Sequence, residues 1–111
     1  MKSSYGDSIA YDLGDLSDLS EGQMRTFPIP NKHNLLVCRI DGKLHAVEDN
    51  CSHADTPLSE GRLRGYSLTC PRHGVSFDVR DGIHSGPPAA KGIQIFNIEE
   101  SDNGTTIYLK E

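Results

Sequence analysis

The sequence has no tryptophan and only three cysteines, and hydrophobic residues fill 35% of its 111 positions. A chain this short and this poor in apolar residues builds a thin core. One domain is therefore expected, and a staple such as a metal centre would help to hold it. Three cysteines exclude a complete set of intramolecular disulfides. Nothing approaches the ~20 consecutive apolar residues that span a bilayer. Residues 1–10 also lack the apolar run of a signal peptide. A basic stripe is missing too, and the formal net charge is −5, which argues against nucleic acid and anionic membrane as partners. These absences predict a soluble, monomeric protein of a reducing compartment, the cytoplasm.

What is present reads as short strands separated by turns. Ile9–Leu13 alternates as a first strand. Leu13, Leu16 and Leu19 are spaced three apart in a loop, which suggests a single helical turn there. Gln23–Pro28 suggests a second strand, and Leu35–Ile40 and Lys43–Glu48 form a pair. Between that pair, Asp41-Gly42 is a two-residue hairpin signal, because a type I′ turn requires positive φ, which Gly tolerates. Leu44, Ala46 and Glu48 fall on one face of the return strand, His45 and Val47 on the other. Residues 49–90 differ in character: they hold three of the five His, two of the three Cys and four of the six Pro. Such punctuation predicts loops around short strands, with Tyr66–Thr69 and Val75–Val79 the expected ones and Asp81-Gly82 a further turn. Ile93–Ile98 and Thr105–Leu109 close the chain. The fold class is all-β, with one domain over residues 1–111 and a loop-rich segment of about 49–90 set into it.

Two short pairs carry the chemistry, Cys51-Ser52-His53 and Cys70-Pro71-Arg72-His73, with sixteen residues between His53 and Cys70. Each supplies one thiolate and one imidazole, ligands suited to iron and zinc. Two ligands of one zinc usually stand two to four residues apart. Cys51 and His53 have a single residue between them, a spacing comfortable when each ligand goes to a different metal. A [2Fe–2S] centre with two His on one iron offers two metals side by side. Cys51 and Cys70 would then hold one iron, and His53 and His73 the other.

The pattern C-x-H-x16-C-x-x-H resembles the signature of the Rieske proteins. The flanks agree: His53-Ala54-Asp55, Pro57-Leu58-Ser59-Glu60-Gly61, Cys70-Pro71-Arg72-His73-Gly74, Phe77-Asp78, Gly82 and Gly86-Pro87-Pro88-Ala89. The likeness runs from about Asp15 to Leu109. It implies a β-sandwich base with a small cluster-binding subdomain at one end, one [2Fe–2S] cluster per chain, and a proline-rich loop over it. Two neutral imidazoles in place of thiolates raise the potential relative to an all-Cys cluster, into a range of about −150 to +300 mV. Respiratory relatives carry an extra cysteine in each ligand loop, forming a disulfide. The matching residues here are Thr56 and Arg72. Where those relatives place Ser and Tyr hydroxyls beside the cluster, this chain has Val75 and Phe77, which donate no side-chain hydrogen bond. The resemblance therefore implies a potential near the bottom of the range, falling further in alkali as the ligand imidazoles lose protons.

Other residues have ordinary readings. Cys38 shares a strand face with Leu36 and Ile40 and reads as a buried, inert thiol. His33 is expected in solvent, His45 as structural, and His84 as a non-ligand of the loop-rich segment. Arg62, Arg64 and Arg72, interleaved with Asp49, Asp55 and Glu60, fit either a solvated surface or a steering one. Asp12, Asp15, Asp18 and Glu21 serve solubility.

The resemblance is nearest to the ferredoxin component of bacterial aromatic-ring-hydroxylating dioxygenase systems. Such a carrier takes electrons from a flavin-dependent reductase, gives them to a terminal oxygenase, and turns over no substrate itself. Two alternatives remain at this point: a small subunit of a larger oxidoreductase such as assimilatory nitrite reductase, and a structural zinc module.

Overall fold

Every position of Leu35–Ile40 except Arg39 is buried, so this strand is covered on both faces. That single fact organises the molecule. The computed structural model describes residues 8–29, 34–51, 56–72, 74–85 and 92–110. Its elements, in chain order, are β1 (Ser8–Gly14), β2 (Met24–Phe27), β3 (Leu35–Ile40), β4 (Lys43–Glu48), a 3-10 turn (Leu58–Glu60), β5 (Arg62–Arg64), β6 (Ser67–Thr69), β7 (Ser76–Asp78), β8 (Ile95–Ser101) and β9 (Gly104–Lys110). Six strands run in the order β1-β9-β8-β4-β3-β2, and three more in the order β5-β6-β7. All pairings are antiparallel. The all-β expectation holds.

The central hairpin is built as the sequence implies. Asp41 and Gly42 both have positive φ, 54° and 78°, as a type I′ turn demands. The Glu21 carboxylate accepts hydrogen bonds from both of their backbone N–H groups, at 2.7 and 3.0 Å. Because side chains alternate across a strand, the hairpin divides two cores. Leu35, Val37, Leu44 and Ala46 face a basal core with Leu16, Leu19, Ile107 and Leu109. Leu36, Cys38, Ile40 and Val47 face a distal core with Cys51, Leu58, Leu68, Cys70, Val75 and Phe77.

The basal core lies between β1-β9-β8 and the β4-β3-β2 layer, whose β4 meets β8 through Ala46–Phe96 and Val47–Ile95. Arg39 pins its rim. The guanidinium binds Glu100 through both oxygens, at 2.9 and 2.7 Å, and donates to the carbonyls of Leu16, Leu19 and Gly42. The single turn expected among Leu13, Leu16 and Leu19 is present, but no helix grows from it. A tight turn with Leu19 N–H bonded to Leu16 C=O drops Leu16 and Leu19 into the core, so burial and not a helix accounts for the period.

The distal layer is short but strictly two-faced. Leu63, Leu68 and Phe77 are cross-strand neighbours on the inner face, while Arg62, Arg64, Ser67, Thr69, Ser76 and Asp78 form the outer face. Strand β5 was absent from the sequence reading, and β6 starts at Ser67 because Gly65 and Tyr66 form the hairpin turn. The last two strands extend a little beyond the expected bounds. Ile93 is buried in the lead-in to β8 rather than paired within it.

Candidate metal centre

Loop one leaves β4 and loop two joins β6 to β7, and both begin on a cysteine. Cys51 N–H donates to Thr56 C=O and Cys70 N–H donates to Val75 C=O, each at 2.8 Å. Both loops thus close on the carbonyl five residues on. Gly74, at φ 74°, makes the return in loop two possible. The two cysteines belong to the same core and are buried at 0% and 1% exposure. Cys38, Cys51 and Cys70 are thiols, not disulfides. The residues at the disulfide positions of the respiratory relatives, Thr56 and Arg72, are respectively buried and exposed.

A second set of contacts fixes loop one from below. Asp49, itself buried, accepts hydrogen bonds from the backbone N–H and the hydroxyl of Ser59, both at 2.7 Å. Its own N–H donates to Asn34 C=O at 2.7 Å. The carboxylate thereby holds the 3-10 turn against the strand end that leads to Cys51. Sequence reasoning took Asp49 only as one of several interleaved charges. Its position between a strand end and a Cys-led loop was the available signal.

Loop two rests on apolar and hydroxyl groups. Val75 and Phe77 are buried and offer no side-chain donor, as the sequence implied. Thr69 and Ser76 hydroxyls bond to each other at 2.8 Å across β6 and β7. The loops are also braced at their far side. Tyr66 donates its hydroxyl to Asp41 at 2.7 Å, Arg80 lies 4.0 Å over the Tyr66 ring, and His45 meets that ring edge-on at 5.6 Å. Burial, with help from Arg80, holds the His45 imidazole below its usual range, in keeping with a structural role. Cys38 lies in the distal core, and burial pushes its thiol up to about 12, so it is an inert apolar filler.

His53 and His73 lie outside the described residues, as do Ser52, Asp55, the proline-rich segment 86–89 and His33. Among the described residues no group of three or more His, Cys, Asp and Glu comes together. His84 sits half-buried opposite Phe77. Two buried thiols in an apolar setting, each leading a closed loop, are a donor set that fits a thiolate-held iron–sulfur group.

A thin all-β domain that spends two of its loops on presenting buried cysteines is built as a metal-centre protein. The Rieske [2Fe-2S] domain model matches residues 10–97, and the chain belongs to that family, whose cofactor is the Rieske-type [2Fe–2S] cluster. The ferredoxin component of the p-cumate 2,3-dioxygenase system of Pseudomonas putida is 34% identical over 102 aligned residues, covering 77% of this chain and 86% of that protein. The ferredoxin component of biphenyl 2,3-dioxygenase from Rhodococcus jostii is 37% identical over 93 residues, covering 84% and 86%. Among solved structures, one from the complex of reduced oxygenase and oxidized ferredoxin in carbazole 1,9a-dioxygenase superposes with a TM-score of 0.85 at 28% identity, over 93% of this chain and 95% of that one. No helix among the described residues is long and apolar enough to cross a membrane.

Proposed function

We propose that the chain is a one-electron carrier acting in the cytoplasm, with its [2Fe–2S] group held by Cys51, His53, Cys70 and His73. It would pass electrons from a flavin-dependent reductase to the terminal oxygenase of an aromatic-ring dioxygenase system and turn over no substrate of its own. The observation that carries this is the burial of Cys51 and Cys70 in one core by two loops with the same Cys-led closure. The kinship to ferredoxin components supports it. The carrier is read as a single domain over residues 1–111, with residues of about 49–90 as its cluster-binding part.

When bound, such a group accepts and releases one electron. The chain's own residues do the rest. Cys51 and Cys70 supply thiolates from a water-poor core. His53 and His73 would hold the other iron. Asp49 and the Ser59 turn keep loop one in place. Val75 and Phe77 close the apolar side and withhold hydrogen-bond donors, which disfavours the reduced, more negative state and keeps the potential low.

The test is anaerobic reconstitution with iron and sulfide, followed by metal and sulfide analysis and a redox titration. A red-brown protein with two irons and two sulfides per chain and a potential near the foot of the Rieske range is expected. A colourless protein holding zinc without iron or sulfide overturns the reading.

A further inference from the structure

The arginines of this protein fall into two groups. Arg25, Arg39 and Arg80 each hold a carboxylate, on Asp18, Glu100 and Asp78. Among the described residues Arg62, Arg64 and Arg72 pair with none, and all three are exposed. Two of them share one face of one strand. Arg62 and Arg64 stand on the outer face of β5, over the hydroxyls of Thr69 and Ser67 on β6. Arg72 lies in loop two, two residues beyond Cys70.

Arg62, Arg64, Ser67, Thr69 and Ser76 line a groove of about 680 Å³ that ends on Cys70 and Pro71, with Glu60 the single carboxylate on its wall. A second hollow of about 380 Å³ continues it past Arg64, where Asp78 is already taken by Arg80 and Ile83 is exposed. On a chain of net charge −5, two unpaired guanidinium groups against one carboxylate give this groove a net positive charge, opposite in sign to that of the whole molecule. Such a field steers and orients a charged partner more than it adds affinity.

We infer that the Arg62–Arg64 face of the three-stranded sheet is a docking surface for an acidic patch on a redox-partner protein, and that it brings that patch alongside loop two. Guanidinium forks suit carboxylate clusters. Exposed Ile83 gives the surface an apolar edge. The inference rests on the carrier reading for the word redox, but the groove's preference for acidic protein surface stands on the unpaired charges alone.

The test separates the two. Reduced, cluster-loaded protein is mixed in stopped flow with hexacyanoferrate(III), an anion, or with tris(phenanthroline)cobalt(III), a cation. Each takes one electron from the protein, and the metal goes from the trivalent to the divalent state. The double variant Arg62→Gln/Arg64→Gln should slow the anionic oxidant about tenfold at low salt, speed the cationic one, and lose both effects at high salt. Arg25→Gln, which removes one charge on β2, should change either rate less than twofold.

In parallel, a fluorescein-labelled decaglutamate peptide is titrated by anisotropy into wild type and the double variant, with or without cluster. Binding by wild type and its loss in the variant support the docking surface. A loaded protein whose rates and peptide binding ignore Arg62 and Arg64, or follow Arg25 equally, overturns it. Displacement of the peptide by inorganic phosphate at matched ionic strength overturns it as well, because the groove then takes small anions. A colourless chain that still binds decaglutamate through these arginines overturns only the redox part.

Discussion

The basal and distal cores share the β3–β4 hairpin as a wall, but they are closed by different means. The basal side is sealed by strands of up to seven residues, with β1, β9 and β8 in continuous register apart from one bulge between Asp12 and Gly14. It also has the multidentate Arg39 at its rim. The distal side has three strands of three residues each and fills its interior with three cysteines among larger apolar side chains. A layer that small gains little from ladder bonds. Its ends are held by turns and by the Asp49 carboxylate. The base is closed by paired strands, whereas the distal layer is closed in part by the loops that run on from Cys51 and Cys70.

The sharpest way to break the two apart is Cys70→Ser. It should abolish the visible iron–sulfur absorption and raise amide hydrogen exchange through β5–β7, while amides of β3 and β9 stay protected. Uniform loss of protection would show that the cores are one unit. Next in size is Gly82→Ala. Gly82 has φ 78°, and an added Cβ would fall 2.1 Å from Ile93 C=O. The strained φ and the backbone clash should cost about 3 kcal/mol, read from denaturant midpoints. This position joins the distal segment to the approach of β8 through Ile93 N–H to Gly82 C=O.

On the basal side alone, Arg39→Met should cost about 2 kcal/mol by stranding Glu100 and the Leu16 and Leu19 carbonyls. The cluster spectrum should be unchanged. The smallest effect is in acid. Arg39 holds the Glu100 carboxyl below its usual value, so this pair stabilises the fold above the ordinary carboxylate pKa. That contribution is lost as pH falls through the depressed one. Melting temperatures between pH 5 and 2 should fall less steeply in Glu100→Gln than in wild type.

The hairpin was legible in sequence, because the apolar run Leu35–Ile40, the two faces of Lys43–Glu48 and Asp41-Gly42 all agree there. So was the buried character of Cys38. Strand β5 was not, since Arg62-Leu63-Arg64 offers one apolar residue and its partner strand is equally short. Tyr66 looked like a strand residue, but the hairpin needs it in the turn, where its hydroxyl reaches Asp41. At the candidate site, the cysteines and their flanks could be read from the spacing. The common loop closure and the Asp49–Ser59 anchor could not, being backbone and tertiary matters. Nor could the pairing of the arginines: Arg39 and Arg62 look alike in a sequence, and only the fold brings Glu100 to one and leaves the other open.

The meeting of β4 with the approach to β8 reaches beyond its paired residues. Glu48 N–H donates to Gln94 C=O at 2.9 Å, and Gln94 N–H returns to the Glu48 carboxylate at 2.8 Å. The chain therefore departs from the base and comes back to it at one clasp. Residues added to the loops of this excursion cost little closure entropy. The foundation acts as a socket, and a lineage can refit the electron-handling end while inheriting the rest.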